Sequence, residues 1–267
     1  MSNLAEMAIR GLADDLWRAE ITRSPMPPIT DSYPDLTFDD AYAIQTYNID
    51  RRVAAAGVLR GHRLGMTSRA SRELYGVFEP NFGALMADMF LDDAEEIGFD
   101  TLLQPRIEAE LAFILATDLA GPGVSTVDAL LAIAGVVPAI GVVDSRIADW
   151  RIKIQDTVAD NGSAARVVLG PRVFPVLTLD LCHLGVLFYR NGSPIDSAAG
   201  AAVLGNPARC VSWLANKLGA LGSGLRAGDT VLSGALHRMV PVRPGDSFRA
   251  HFAHIGSVNV KFTGQSI

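Results

Sequence analysis

Gln104-Pro-Arg-Ile-Glu-Ala-Glu-Leu-Ala-Phe-Ile-Leu115 is the segment of this 267-residue sequence with the clearest alternation of side-chain character. A period of two predicts a β-strand, here over 107–115. In a strand, Glu108 and Glu110 lie on one face, about 7 Å apart. The opposite face is apolar and consists of Ile107, Ala109, Leu111 and Phe113.

The face that carries the two acids continues with apolar residues, Ala112 and Ile114. Glu108 and Glu110 therefore lie on a surface that favours burial, and a buried carboxylate needs a partner. Two converging carboxylates suit a hard divalent cation, which prefers oxygen ligands and keeps water positions for a substrate. The alternative is a half-solvated strand whose outer face is acidic. These residues alone leave both interpretations open.

The composition predicts a folded protein with a large core. Hydrophobic residues make up 49% of the sequence and charged residues 19%, and this balance excludes a disordered chain. It also predicts apolar surface between subunits, and hence a homo-oligomer. The net charge of −6, from 29 acidic and 23 basic residues, argues against a nucleic-acid partner, which requires a basic face.

The apolar runs and the cysteines favour a cytoplasmic protein without a membrane partner. The longest apolar run, 129–143, is interrupted by Pro138 and is shorter than the roughly 20 residues that span a membrane. The first residues lack the basic flank and apolar stretch of a signal peptide. Cys182 and Cys210 are too few for a disulfide framework.

The hydrophobic spacing divides the chain into two parts. Apolar residues three and four apart predict helices over 4–20 and 38–56, whereas short apolar segments and turn glycines follow Gly57. We predict a helical N-terminal region, residues 1–70, and a β-rich domain, residues 71–267. Within that domain the further predicted strands are 136–144, 165–169, 184–190, 230–233, 248–253 and 256–262, and the predicted helices are 125–134 and 207–221.

Polar residues follow an apolar strand in the segment 136–163. The strand ends in Asp144-Ser-Arg146, and a polar loop continues to Ser163. Such an arrangement often presents side chains to a pocket. A structural ion pair between Asp144 and Arg146, followed by an ordinary turn, explains the pattern equally well.

Gly65 precedes two hydroxyl residues, Thr67 and Ser68, in the segment 61–68. A glycine at such a position lets the backbone approach a ligand closely. The alternative is an ordinary surface loop without a role in binding.

Taken in order, these segments resemble the 2-keto-4-pentenoate hydratase and 4-oxalocrotonate decarboxylase family, within the fumarylacetoacetate hydrolase superfamily. The resemblance implies an α+β fold, a mixed β-sandwich roll with a helical N-terminal region, and a homo-oligomer. It implies Mg²⁺ or Mn²⁺ as cofactor and a small 2-oxo or 2-hydroxydienoic acid as substrate. The segments that carry it are 40–45, 61–68, 79–83, 104–115, 138–150, 156–163, 225–229, 232–235 and 244–246.

The resemblance also implies roles for individual residues. It places the metal on Glu108 and Glu110, where the ion acts as a Lewis acid toward the substrate's 2-carbonyl and stabilises a dienolate. The implied catalytic residues are Arg63, Asn81 and Ser163. The implied substrate contacts are Arg63, Thr67, Ser68, Asp144 and Ser163. We expect the acidic pair to converge on a cavity that the catalytic residues also reach.

Three positions depart from the family pattern, and all three belong to the implied site. Gly141 stands where a third metal-binding Glu is usual, Arg63 replaces a Lys, and Asn81 replaces an Asp. Glycine supplies no ligand, arginine stays protonated, and asparagine cannot act as a general base. Together the three changes predict altered chemistry in this site.

Three functions are compatible with these departures. The first is metal-assisted hydration of a 2-hydroxydienoate or 2-oxo-enoic acid. The second is 4-oxalocrotonate-type decarboxylation, or a repurposed lyase, isomerase or cyclase reaction on the same fold. The third is a non-catalytic homologue that acts as a binding partner. The acidic pair favours the first function, and Gly141 and Asn81 favour the others.

Overall fold

The computed structural model describes residues 4–264, so residues 1–3 and 265–267 of the two predicted regions lie outside the described residues. Helix α3 begins with a capping box, in which Thr37 Oγ1 accepts a hydrogen bond from the backbone N–H of Asp40. The helices are α1 (Glu6–Thr22), α2 (Ile29–Ser32), α3 (Phe38–Ala54), α4 (Arg69–Tyr75), α5 (Thr126–Ala132), α6 (Ile154–Ala159) and α7 (Arg209–Ala220).

The β-rich part begins inside the region predicted to be helical. Strand β1 covers part of residues 1–70, so the long N-terminal helices end at Ala54 and the chain enters the sheet from there. The strands are β1 (Leu59–Gly65), β2 (Asn81–Met86), β3 (Phe90–Asp92), β4 (Glu96–Gly98), β5 (Arg106–Leu115), β6 (Ile133–Val143), β7 (Ala164–Leu169), β8 (Gly185–Arg190), β9 (Ser193–Ala199), β10 (Thr230–Leu232), β11 (Val240–Pro241), β12 (Ser247–Phe252) and β13 (Gly256–Thr263).

Residues 4–264 form two sheets. The larger has eight strands in the order β2-β1-β10-β5-β6-β7-β3, with β11 also paired to β5, and the smaller has the order β4-β13-β12-β8-β9. Strand β5 confirms the prediction for 107–115 and lies at the centre of the larger sheet. The predicted helix 125–134 ends earlier, because Ile133 pairs with Leu115 at the start of β6.

The main core lies between the two sheets. The apolar face of β5, including Leu111 and Phe113, packs in one cluster with Phe188, Phe252 and Phe262 of the smaller sheet. These side chains are fully buried, and burial of each such side chain stabilises the fold by about 2 kcal/mol. The other face of the larger sheet is thereby left for the acidic residues of β5.

The helical region packs beside the larger sheet as a second core. Helices α1 and α3 bury Leu16 and Ile44 together with Val158 of α6. Gln45 of α3 donates hydrogen bonds to the carbonyls of Phe82 and Val158, which joins α3 to β2 and α6. Within the described part of the chain, no helix combines the length and apolar character needed to cross a membrane.

Candidate active site

The register of the larger sheet gathers the predicted site residues on one face. Arg63 pairs with Leu232, Leu232 with Ala112, and Glu108 with Gly141. Side chains that are paired across strands, or two apart along one strand, share a face. Asn81 pairs with Gly65, two residues beyond Arg63, and therefore belongs to the same face.

A cavity of about 490 Å³ opens on this face. Its polar wall contains four of the residues that the sequence singles out, Arg63, Asn81, Glu108 and Ser163. The apolar wall includes Leu64, Met66, Leu74, Val143, Trp150, Ile152 and Met239. A mixture of apolar walls and a few converging polar groups is typical of small-molecule sites.

Arg63 forms a buried ion-pair cluster with both acids of β5. Its Nη2 lies 2.5 Å from Glu108 Oε2 and 3.3 Å from Glu110 Oε1. Its Nη1 donates a hydrogen bond of 2.7 Å to the carbonyl oxygen of Gly162. The three side chains are at most 8% exposed, so each charge depends on the others for compensation.

One guanidinium charge faces two carboxylates, and of these two acids it is Glu110 whose pKa is raised. Burial raises the pKa of Glu110 to about 7, with Arg63 opposing the shift and Glu108 adding to it. Glu110 Oε2 accepts a 2.7 Å hydrogen bond from the backbone N–H of Gly234. Although burial works against its charge, the two carboxylates hold the pKa of Arg63 above its ordinary value.

Asn81 presents an unsatisfied amide to the cavity. The residue is 2% exposed, and within residues 4–264 neither its Oδ1 nor its Nδ2 has a hydrogen-bond partner; the same is true of Arg63 Nε. A Cβ at Gly65 would lie 2.3 Å from Asn81 Oδ1, so only glycine leaves room for this amide. Because buried polar groups are normally paired, these atoms point to a partner that the described residues do not supply.

Ser163 lies in a strained turn that supports Arg63. Asn161, Gly162 and Ser163 all have positive φ, near 54°, 61° and 53°. The side-chain amide of Asn161 accepts a 2.7 Å hydrogen bond from the N–H of Ala84 and donates a 2.9 Å hydrogen bond to the carbonyl oxygen of Ala84. Ser163 Oγ donates a hydrogen bond to Asp160 Oδ2 at 2.9 Å.

Asp160 anchors the same turn to the interior. Its carboxylate forms a buried ion pair with Arg146 at 2.5 Å. Burial raises the pKa of Asp160 to about 6, and Arg146 opposes the shift. Arg146 therefore forms its ion pair with Asp160. The structural interpretation of the sequence, an ion pair between Asp144 and Arg146, is wrong.

Of the predicted substrate contacts, Asp144 is the one that the structure does not bring to the cavity. Its carboxylate oxygens accept hydrogen bonds from the backbone N–H groups of Leu103 and Gln104, at 2.8 and 2.7 Å. The neighbouring Val143 faces the cavity, and the next residue along an extended chain points the other way. Asp144 therefore fixes the turn that enters β5.

The two hydroxyl residues after Gly65 lie at the cavity wall. Thr67 is 3% exposed and lines the cavity. Ser68 also lines it, but its hydroxyl caps α4 by accepting a 3.0 Å hydrogen bond from the N–H of Ser71. Gly65 itself ends β1, so the segment is a strand and a helix cap and not a surface loop.

His237 lines the cavity, although its isolation in the sequence gave no signal of this position. Its Nε2 accepts a hydrogen bond from the N–H of Ala109, and Nδ1–H donates to the carbonyl of Arg238. Burial lowers the pKa of His237, so the ring is neutral and both nitrogens are engaged. The ring of His237 bonds the backbone of β5 at Ala109, between the residues that pair with β10 and those that pair with β11. This contact supports the part of β5 that carries Glu108 and Glu110.

The residues present do not fit a divalent cation in this arrangement. Within residues 4–264 no three His, Cys, Asp or Glu side chains group closely enough to hold a metal ion. A Cβ at Gly141 would lie 2.2 Å from Glu110 Oε1, so that carboxylate occupies the space next to the position where the resemblance implies a third ligand. The guanidinium of Arg63 already contacts both remaining carboxylates.

Comparison with known proteins finds hydratases that are similar to this chain over most of its length. A 2-keto-4-pentenoate hydratase of Paraburkholderia xenovorans (strain LB400) is 45% identical over 94% of this chain and 93% of its own length. A 2-hydroxyhexa-2,4-dienoate hydratase of Comamonas testosteroni is 40% identical over 93% of this chain and 95% of its own.

A solved structure extends the similarity to the whole fold. The 4-oxalocrotonate decarboxylase from Pseudomonas putida G7, complexed with magnesium and adipate, superposes with a TM-score of 0.95, at 33% identity, over 98% of this chain and 100% of that chain. A second structure of that enzyme holds calcium and acetate. These ions are consistent with the predicted Mg²⁺ or Mn²⁺, although the ligand set of this chain differs from what the resemblance implies.

The family profile described as fumarylacetoacetate (FAA) hydrolase C-terminal matches residues 77–263. That range contains the strands β2 to β13 and the turn with Ser163, and it excludes the helices α1 to α4 and strand β1 of the larger sheet. The predicted α+β roll is confirmed by the superposition with the decarboxylase. With most of its length matched by the profile and by the hydratases, this chain belongs to the fumarylacetoacetate hydrolase family.

Proposed function

We propose that this protein is a hydro-lyase that adds water to a small 2-hydroxydienoic or 2-oxo-enoic acid. The observation that carries the proposal is that Arg63, Glu108 and the unsatisfied amide of Asn81 line one cavity, with the fully buried Glu110 in contact with Arg63 behind that wall. The hydratases that are 45% and 40% identical to this chain support the same reaction class.

Arg63 and Asn81 bind and orient the acid end of the substrate. The carboxylate and the C2 carbonyl of the 2-oxo form offer hydrogen-bond acceptors to the unpaired Arg63 Nε–H and Asn81 Nδ2–H, and the C2 hydroxyl of the dienol form can donate to the unpaired Asn81 Oδ1. When the C2 oxygen gains negative charge in a dienolate, fixed donors in a buried site stabilise it more strongly than water does. Thr67 and Ser163 line the cavity beside these donors.

The reaction balances as two proton-coupled steps. In 2-hydroxypenta-2,4-dienoate, protonation at C5 and loss of the enol proton give 2-oxopent-3-enoate. Water then adds at C4 while C3 takes a proton, giving 4-hydroxy-2-oxopentanoate. Glu108 lines the cavity and is the carboxylate placed to exchange these protons. Glu110, whose pKa burial raises to about 7, contacts the same guanidinium nitrogen as Glu108.

The experiment measures consumption of 2-hydroxypenta-2,4-dienoate by absorbance and identifies the product by NMR in D₂O. We expect deuterium at C3 and C5 of 4-hydroxy-2-oxopentanoate, both in a chelator and with Mg²⁺ added. Glu108→Gln should lower kcat by about 100-fold or more. Exposed Glu96→Gln, which removes only a surface ion pair with Lys261, should have no effect. Absence of hydrated product under both conditions would refute the proposal.

Decarboxylation is the second candidate, because the decarboxylase superposes over the entire length of its chain. Loss of CO₂ from a 2-oxo-enedioic acid leaves the same dienolate, so Arg63 and Asn81 would stabilise it in the same way. Release of CO₂ from 4-oxalocrotonate without hydration of the dienoate would select this reaction. Binding of a 2-oxo acid without turnover of either substrate would instead indicate a non-catalytic homologue.

A further inference from the structure

We propose that the guanidinium of Arg63 is the cation that binds the substrate's carboxylate and C2 oxygen in this site, in the place of a divalent metal ion. The proposal rests on the function proposed above for the substrate class. It concerns only what holds the acid end of the molecule. The argument has three steps: the position of the guanidinium, the character of the free groups, and the space at Gly141.

The guanidinium occupies the position where a cation is held by the acidic pair. Nη2 alone contacts Glu108 Oε2 at 2.5 Å and Glu110 Oε1 at 3.3 Å, and Nη1 is fixed by the carbonyl of Gly162 at 2.7 Å. A guanidinium held by these contacts is preorganised. Because it is part of the chain, it cannot dissociate from the site as a metal ion can. A divalent ion would have to displace it from a site where all three side chains are buried.

The unsatisfied groups at the cavity include more donors than acceptors. Within residues 4–264, Arg63 Nε–H and Asn81 Nδ2–H are donors without partners, and Asn81 Oδ1 is the one unpaired acceptor beside them. A hard divalent cation seeks oxygen ligands, whereas a 2-oxo acid presents acceptor oxygens at its carboxylate and at C2. Arginine suits this task because its charge is permanent and its Nε–H stays without a partner while Nη1 and Nη2 are held by Gly162 and the two acids.

The absence of a side chain at Gly141 is consistent with a guanidinium in the place of a metal ion. Glu110 can reach both Arg63 and the N–H of Gly234 because its carboxylate lies where a Cβ at position 141 would stand, 2.2 Å away. A third carboxylate on this side would displace that arrangement and leave three negative charges around one guanidinium. The pair of carboxylates and the single arginine therefore form one self-contained set.

Isothermal titration calorimetry with oxalate tests the proposal in the intact protein. In a chelator and in Mg²⁺ we expect oxalate affinities within about twofold of each other, and no saturable heat from MgCl₂ alone. Arg63→Met should weaken oxalate binding about tenfold or more in the chelator. The matched control is Arg60→Met, exposed on the same strand, which should bind oxalate like the unchanged protein.

The outcomes separate this proposal from the proposed function. Oxalate binding that requires Mg²⁺ and survives Arg63→Met would overturn the role of Arg63, even if the dienoate is hydrated. Metal-independent oxalate binding without hydration would refute the hydro-lyase and leave the role of Arg63 intact. If Arg63→Met fails to fold, Arg63→Lys serves instead: it retains the charge, loses the fork, and should still weaken oxalate binding severalfold in the chelator. Undiminished binding by Arg63→Lys would contradict the proposal.

Discussion

The carboxylate of Glu110 lies directly over Gly141, so that a Cβ built at position 141 would stand 2.2 Å from Glu110 Oε1. Gly141 pairs with Glu108, and Ala139 pairs with Glu110, so the two acids border this glycine. The φ angle of Gly141 is not in the left-handed region. The backbone therefore accepts a side chain there, and only the flexible end of Glu110 has to move.

Gly141→Glu should strengthen binding of a divalent metal ion beside Glu108 and Glu110. The variant supplies a third carboxylate, and affinity for hard cations rises with the number of charged oxygen ligands. We expect saturable Mg²⁺ binding by calorimetry, at least about tenfold tighter than in the unchanged protein, and stronger still with Arg63→Lys and Asn81→Asp. Gly141→Ala is the control for the lost space and should bind no metal.

A thermal melt accompanies that measurement, because displacing Glu110 breaks its contacts with Arg63 and Gly234. A Gly141→Glu protein that melts cooperatively but gains no Mg²⁺ affinity would show that position 141 is not the place of the third ligand.

The raised pKa of Glu110 predicts a specific dependence of stability on pH. Its folded pKa of about 7 lies above the ordinary value of 4.5, so the folded state binds the proton more tightly than the unfolded state does. Its contribution to stability is therefore greatest below about pH 4.5 and falls as the pH rises to about 7. Chemical denaturation at pH 5 and pH 8 should reveal a loss on the order of 2 kcal/mol from this group.

Glu110→Gln removes that titration, and its stability should change less between pH 5 and pH 8 than that of the unchanged protein. Glu96→Gln serves as the control, since Glu96 is an exposed partner of Lys261, and should keep the original pH dependence. An unaltered pH dependence in Glu110→Gln would mean that Glu110 is not the titrating group.

The apolar surface of the single chain predicts a homo-oligomer. Leu74, in the last turn of α4, is 79% exposed, and Phe78, which follows the end of that helix, is 100% exposed. Large apolar side chains exposed in this way mark surfaces that associate. Light scattering at micromolar concentration should give a mass that is a multiple of 28.4 kDa, and Phe78→Ser should shift it toward the monomer. A monomer at all concentrations would exclude the oligomer.

Sequence patterns predicted the strands that have regular apolar faces. The central strand 107–115 and the strands 248–253 and 256–262 match β5, β12 and β13 within two residues, because each buries alternate side chains against the other sheet. Strand β1 was not predicted, since His62 and Arg63 interrupt its apolar pattern. It is a strand because β2 and β10 pair with it on either side.

The composition of the site depends on pairings that local patterns do not reveal. Arg63 meets Glu108 across 45 positions of sequence, through strands that reach each other only via β10. The family resemblance implies that Asp144, at the end of a strand next to a polar loop, contacts the substrate. Its orientation away from the cavity follows from alternation once Val143 is known to face inward.

Asn81 and Asn161 allow the binding role of an amide to be separated from a structural one. Within residues 4–264 the Asn81 amide has no hydrogen-bond partner, whereas the Asn161 amide bonds both polar groups of Ala84. Asn81→Ala removes an unsatisfied buried amide, so the free energy of unfolding should stay within about 1 kcal/mol of the original value. The same change should lower the affinity for oxalate and kcat/KM for the dienoate about tenfold.

Asn161→Ala should have the opposite effect on stability. It loses two hydrogen bonds and places alanine at a φ of 54°, where asparagine is better tolerated, so we expect a loss of about 2 kcal/mol or more. Urea denaturation and oxalate titration of both variants measure the two effects side by side. A strong loss of stability in Asn81→Ala, with oxalate affinity unchanged, would make Asn81 a structural residue and remove it from the proposed site.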